Sequence, residues 1–196
     1  MPASDPIRFF FDYVDPASFL VERHLALVED VLSIAVERIP FEVRPPPTPL
    51  ADPRAPQWRS FWEGAEAAAL EEGVTLAYPP LVPWTRKAHE LALHSRKEDR
   101  FFAIHRALFE AFLLEGRDLG RVDVLLKIAV QHGLDLSRAK AVLDVDHHEP
   151  TVTSARARAE RLGIRGVPTL QAGDQTLEGL QSHGTVLAFL QQAAVR

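Results

Sequence analysis

The chain contains no cysteine. That absence removes disulfides, zinc–thiolate sites and thiol nucleophiles together. Nowhere do eighteen apolar residues run without a charge, so no segment reads as a transmembrane helix. Basic residues are outnumbered, 22 Lys and Arg against 27 Asp and Glu, for a formal net charge of -5. No cationic field is therefore available to hold nucleic acid or an anionic membrane. Met1–Arg8 (MPASDPIR) lacks the basic stretch and apolar run of a secretory signal, so a soluble, cytoplasmic protein is expected. The phosphate-cradling pattern Gly-x-x-x-x-Gly-Lys and the nucleophile elbow Gly-x-Ser-x-Gly are also missing.

What the chain does have is enough apolar material, 46% of 196 residues, to build one generous domain or a compact domain with a sizeable insertion. Ile7 to Val14 (IRFFFDYV) is rich in β-formers without clean alternation, which predicts a buried strand. From Ala17 the residues Leu20, Val21, His24, Leu25, Leu27, Val28, Val31 and Leu32 fit a 3.6-residue period, with Asp15 or Ser18 as N-cap and Pro16 in the first turn. Ser33 to Arg44 alternates around Pro40, which predicts a second strand at a sheet edge or bulge. Six prolines between Pro45 and Pro56 make an extended connector. Helical periodicity then dominates: Trp58–Glu72, Pro83–Arg96, Asp99–Leu114, Val122–His132 and Leu136–Asp144, with Thr151–Leu162 after Pro150. The chain closes with two short strands, Leu170–Ala172 and Gln175–Glu178, around Gly173-Asp174, and a last helix from Ser182 to Ala194.

Three stretches carry a family resemblance: FFFDYVDPASFL near the start, ALFEAFLLEGRDLGRVDVLLKIAVQHGL from Ala107 to Leu134, and RLGIRGVPTL followed by LEGLQSHGTVLAFL. In these the chain resembles the DsbA family, particularly its cytosolic FrnE-like branch, and more distantly the 2-hydroxychromene-2-carboxylate isomerases and kappa-class glutathione transferases. The resemblance implies an α/β thioredoxin-like fold split by an α-helical insertion. Its first part would be residues 1–48, the insertion 49–148 and its second part 149–196.

The resemblance also names a site. In the family the first strand runs into a helix through a four-residue motif whose first residue attacks, its anion favoured by the helix N-terminus. The matching positions here are Asp15-Pro16-Ala17-Ser18. The disulfide oxidoreductases carry cysteine at both outer positions, and the glutathione-dependent branches carry serine at the first. Asp15 is neither, and Ser18 aligns with the resolving cysteine. A carboxylate before a helix is a good N-cap, so Asp15 reads either as a cap alone or as a ligand contact as well. Val167-Pro168-Thr169 resembles the family's cis-proline loop. There the residue before the proline, Val167 here, pairs its main chain with a substrate peptide or with glutathione.

Three functions follow as expectations. The first is a thioredoxin-fold protein of the oxidoreductase family that has lost thiol–disulfide exchange, which needs an attacking thiolate. It would keep a groove for a small molecule or an extended peptide, lined by Asp15, Pro16, Ser18, Val167, Pro168 and Thr169. The second is a glutathione-dependent isomerase or transferase, in which glutathione is the cofactor and supplies the sulfur. The third is a non-catalytic interaction or homodimerisation role built on the insertion. Among the remaining candidates, Asp144-Val-Asp-His-His-Glu149 reads as a solvated helix terminus rather than a metal site. His89 and His94, five apart, read as surface or pocket-edge residues. Trp58, Phe61, Trp62, Tyr78 and Trp84 read chiefly as core, with one or two rings free to line a pocket.

Overall fold

The computed structural model describes residues 6–194. Met1–Asp5, where a leader was looked for above, lie outside the described residues. A four-stranded sheet in the order β2-β1-β3-β4 draws on both ends of the chain. β1 (Ile7–Phe11) lies inside it, parallel to β2 (Val36–Pro40) with Ile7 opposite Val36, and antiparallel to β3 (Thr169–Ala172) with Phe10 opposite Thr169. β4 (Gln175–Glu178) returns from β3 through Gly173, whose φ of 57° suits a residue without Cβ.

The unbroken apolar run of β1 has a direct cause: both faces of this strand are covered. Phe9 and Phe11 enter the large core, whereas Phe10 points the other way onto Phe41, Ala159 and Ile164. α1 (Pro16–Leu32) and α8 (His183–Ala194) pack together and supply Leu20, Leu25, Val186 and Leu190 to the large core. α7 (Glu149–Arg161) supplies Ala159 to the second cluster. β2 keeps its alternation and its proline because it is an edge strand.

Between β2 and α7 run α2 (Pro56–Glu71), α3 (Arg86–Ser95), α4 (Phe101–Leu113), α5 (Val122–Gln131) and α6 (Leu136–Asp144). α2 and α7 each carry a proline in the first turn, where no intrahelical donor is lost. α7 accordingly starts two residues earlier than the reading from Thr151. β1 stops at Phe11 rather than Val14, because Asp12 to Val14 turn so that the Asp15 N–H reaches the Asp12 carbonyl at 3.2 Å.

Candidate functional site

Asp15 is the N-cap of α1, with Pro16 opening the helix. Its Oδ2 accepts the Ser18 N–H at 2.7 Å and also the Ser18 hydroxyl. The whole turn from Asp12 to Ser18 is buried. Asp15 is only 3% exposed, and its second oxygen, Oδ1, has no hydrogen-bond partner among the described residues. Burial pushes the carboxyl up to about 7, with the Asp12 carboxylate adding to the rise and the Ser18 bonds opposing it. Asp15 is thus a cap and, at neutral pH, a carboxyl close to half-protonated.

Asp12 holds the turn from beneath. Its Oδ2 accepts the Val43 N–H at 2.7 Å, just beyond β2, and its Oδ1 lies 3.1 Å from His89 Nε2 on α3. The Ser18 hydroxyl sits 3.5 Å from the Asp12 N–H. One aspartate therefore ties the strand end, the edge strand and the helical insertion to the motif turn.

The loop before β3 closes the other side. The Val167–Pro168 peptide bond is cis. The Thr169 hydroxyl donates to the Gly166 carbonyl at 2.8 Å, and the Pro168 carbonyl accepts from the Gly179 N–H at 2.8 Å. Pro168 and Thr169 are buried, Val167 is half-buried, and among the described residues neither main-chain group of Val167 has a hydrogen-bond partner. Asp15 and Val167 line one cavity of about 400 Å³, walled by Phe41, Trp58 and Phe61 and rimmed by arginines. The motif and the loop, far apart in sequence, share that cavity. Pro16 and Ser18 stand behind Asp15 rather than in the cavity lining, and Thr169 stands behind the loop.

A family model for the DSBA-like thioredoxin domain matches residues 6–191. The chain belongs to that family. Its fold is the DsbA-like thioredoxin fold, with helices α2–α6 inserted between β2 and α7. The chain is 29% identical over 178 residues to the protein YwbO of Bacillus subtilis (strain 168), covering 88% of this chain and 89% of that one. Among solved structures it is similar to the probable DsbA oxidoreductase SCO1869 from Streptomyces coelicolor, with a TM-score of 0.80 at 20% identity over 96% of this chain and 89% of that one. It is also similar to a 2-hydroxychromene-2-carboxylate isomerase, with a TM-score of 0.77 at 18% identity over 96% and 93%.

This DsbA-like chain corrects one reading outright. His89 and His94 are not surface or pocket-edge residues: they are 1% and 8% exposed, because α3 packs against α4, α5, α6 and α7 and has almost no free face. The core reading of the aromatic group holds in full for Trp62 alone: Trp58 is half-buried and Phe61 exposed, both lining the cavity, and Tyr78 and Trp84 are 44% and 40% exposed. The Asp144–Glu149 segment pairs outward, Asp146 with Lys87 and Asp144 with Lys140. No group of three or more metal-ligating side chains occurs among the described residues, and no described helix is long and apolar enough to cross a membrane. Sequence reasoning misplaced His89 and missed Asp12 and the rim arginines Arg44, Arg156 and Arg165. Arg165 alone had a signal, two positions before Val167.

Proposed function

We propose that this DsbA-like protein binds a small non-thiol ligand in the cavity between the motif turn and the Val167–Pro168 loop, and performs no thiol–disulfide exchange. The observation that carries the reading is Asp15 Oδ1: a buried oxygen without a partner beside an apolar cavity costs about 1–3 kcal/mol, and a ligand that hydrogen-bonds it recovers that cost. Val167 offers a second unmet pair of polar groups across the same space. In this reading Asp15 and Val167 contact the ligand, Ser18 and Pro16 fix the Asp15 carboxyl, and Pro168 and Thr169 fix the loop. A cavity of about 400 Å³ falls in the small-molecule range of roughly 300–1,000 Å³. An extended peptide would meet Val167 through its main chain but would leave the aromatic pocket to a single side chain.

One observation favours the glutathione-dependent isomerase as a second reading. With its carboxyl raised to about 7, Asp15 is protonated often enough near neutrality to donate an O–H to a thiolate, the part that serine plays in the related branches. The structural likeness to a 2-hydroxychromene-2-carboxylate isomerase is in keeping with it.

Calorimetry with glutathione on the wild type and on Asp15→Ser separates the two. The proposal expects no binding by the wild type at pH 8, where Asp15 is mostly anionic and repels a thiolate, and no reduction of insulin disulfides at any pH. Glutathione binding by the wild type that strengthens from pH 8 to pH 6 would instead put the isomerase first.

A further inference from the structure

We propose a second binding site, for the diphosphate group of a small molecule, in the groove where β2, the end of α3 and α7 meet. Its cationic lining is Arg8, Arg96, Arg158 and Arg161.

The groove holds about 350 Å³ and shares no lining residue with the cavity at the motif turn. β2 contributes Glu37 to Pro40, α3 and the turn after it Leu93 and Arg96, and α7 the face that carries Thr151, Ser154, Arg158 and Leu162. Those α7 positions recur at three and four residues, so a single helical face supplies that side of the groove.

Charge on α7 is divided between its faces. Arg156 has Glu160 four residues on and pairs with it at 3.0 Å. Arg158 has Ser154 and Leu162 at that spacing, Arg161 has Ala157 and Arg165, and neither has a carboxylate within salt-bridge distance among the described residues. Two guanidinium groups three residues apart on one helix repel, and an anion held between them turns the repulsion into attraction.

The sheet adds a third cation. Arg8 shares a face of β1 with Phe10, which packs on Ala159 of α7, and its side chain is only 19% exposed. Its Nε is buried without a hydrogen-bond partner among the described residues, because the Glu37 carboxylate opposite it on β2 stops at 3.8 Å. A buried donor left unmet is costly, and a ligand oxygen in the groove recovers that cost. Arg96 gives one N–H to the Arg38 carbonyl at 2.8 Å and keeps its other donors. Arg38 itself takes no part, since Glu22 and Glu29 hold its guanidinium.

Four guanidinium groups therefore face one carboxylate, Glu37, whose side chain is 53% exposed. The ligand class follows from that imbalance. Each guanidinium carries five donors, so the lining offers far more than the two oxygens of a carboxylate can accept, and a monoanion would leave most of the charge unmatched. A diphosphate brings more oxygens and more than one negative charge to the same small space.

Inorganic phosphate, inorganic pyrophosphate and adenosine diphosphate are titrated calorimetrically into the full-length protein at a constant ionic strength of about 0.1 M. Pyrophosphate is expected to bind about tenfold more tightly than phosphate. Tighter binding of adenosine diphosphate than of pyrophosphate assigns the site to an ester, whose remainder would rest on Ile39, Leu93 and Leu162; equal affinities assign it to free diphosphate. The paired substitutions Arg158→Gln and Arg161→Gln, on exposed side chains and with little change in helix propensity, should weaken pyrophosphate about tenfold. Arg121→Gln with Arg138→Gln removes the same charge from elsewhere on the surface and should leave the affinity unchanged. Pyrophosphate binding no tighter than phosphate overturns the proposal, and so does equal pyrophosphate affinity in the two paired variants.

Discussion

Two acids of the same helix, the N-cap Asp15 and Glu22, sit two turns apart, Asp15 buried and Glu22 largely so with its side chain 12% exposed, yet they end in opposite states. Burial works against the ionisation of Glu22 as well, but His105 at 3.4 Å and the Arg38 guanidinium at 2.9 Å outweigh it and hold that carboxyl below its ordinary range. Arg38 is shared with Glu29, and its charge is reinforced in turn. His105 is itself kept toward the neutral form by burial, and its Nδ1 lies 2.8 Å from the Tyr13 hydroxyl. Among the described residues Asp15 has no cation within salt-bridge distance, and burial pushes it up to about 7. Between these two acids the difference lies in the cations: Glu22 has two basic groups beside it, whereas Asp15, which lines the cavity, has none among the described residues.

The contrast can be broken at its strongest point first. Arg38→Met strands Glu22 and Glu29 without their cation, and urea denaturation should show a loss of about 3–5 kcal/mol. Adding Glu22→Gln to that variant should restore part of it. Asp15→Asn sharpens the contrast from the other side. The Asp15 carboxyl titrates near 7 in the folded chain and near 4 unfolded, so the folded state binds the extra proton. Its stabilising contribution is complete below pH 4 and lost as pH rises through 7. Asparagine caps a helix as well, so the variant should match the wild type at pH 4 and exceed it by roughly 2–4 kcal/mol at pH 8, read from denaturation midpoints across that window. Tyr13→Phe removes one hydrogen bond from the His105 side and should cost about 1–2 kcal/mol. As the water-exposed reference, Arg121→Ala removes the partner of Asp123 and should shift stability by less than about 0.5 kcal/mol.

The same contrast marks where sequence reading succeeded and where it stopped. Patterns that depend on local chemistry were plain: the unalternating IRFFF as an interior strand, VERIP with its proline as an edge, and Asp15-Pro16 as a helix start; the cis bond before Pro168 was implied by the family resemblance alone. Those that depend on what arrives from elsewhere were not. Asp12 gains its meaning from Val43 and His89, 31 and 77 residues away. His89 was misjudged because helical spacing reports which residues share a face and says nothing of how many faces are covered. That Asp15 Oδ1 would lack a partner while Glu22 would have two is a property of the assembled surroundings, which no motif records.

The sheet draws its strands from both ends of the chain, and the cavity inherits that arrangement. Asp15 and Val167 lie about 150 residues apart. At a synthesis rate of about 5–20 residues per second, the second wall follows the first by roughly 8–30 s. During that interval the motif turn has no loop to face and β1 lacks its antiparallel neighbour. Until β3 arrives, β1 keeps a row of unpaired N–H and C=O groups along one edge, which makes that edge the place where an incomplete chain can pair with a neighbour instead of with itself.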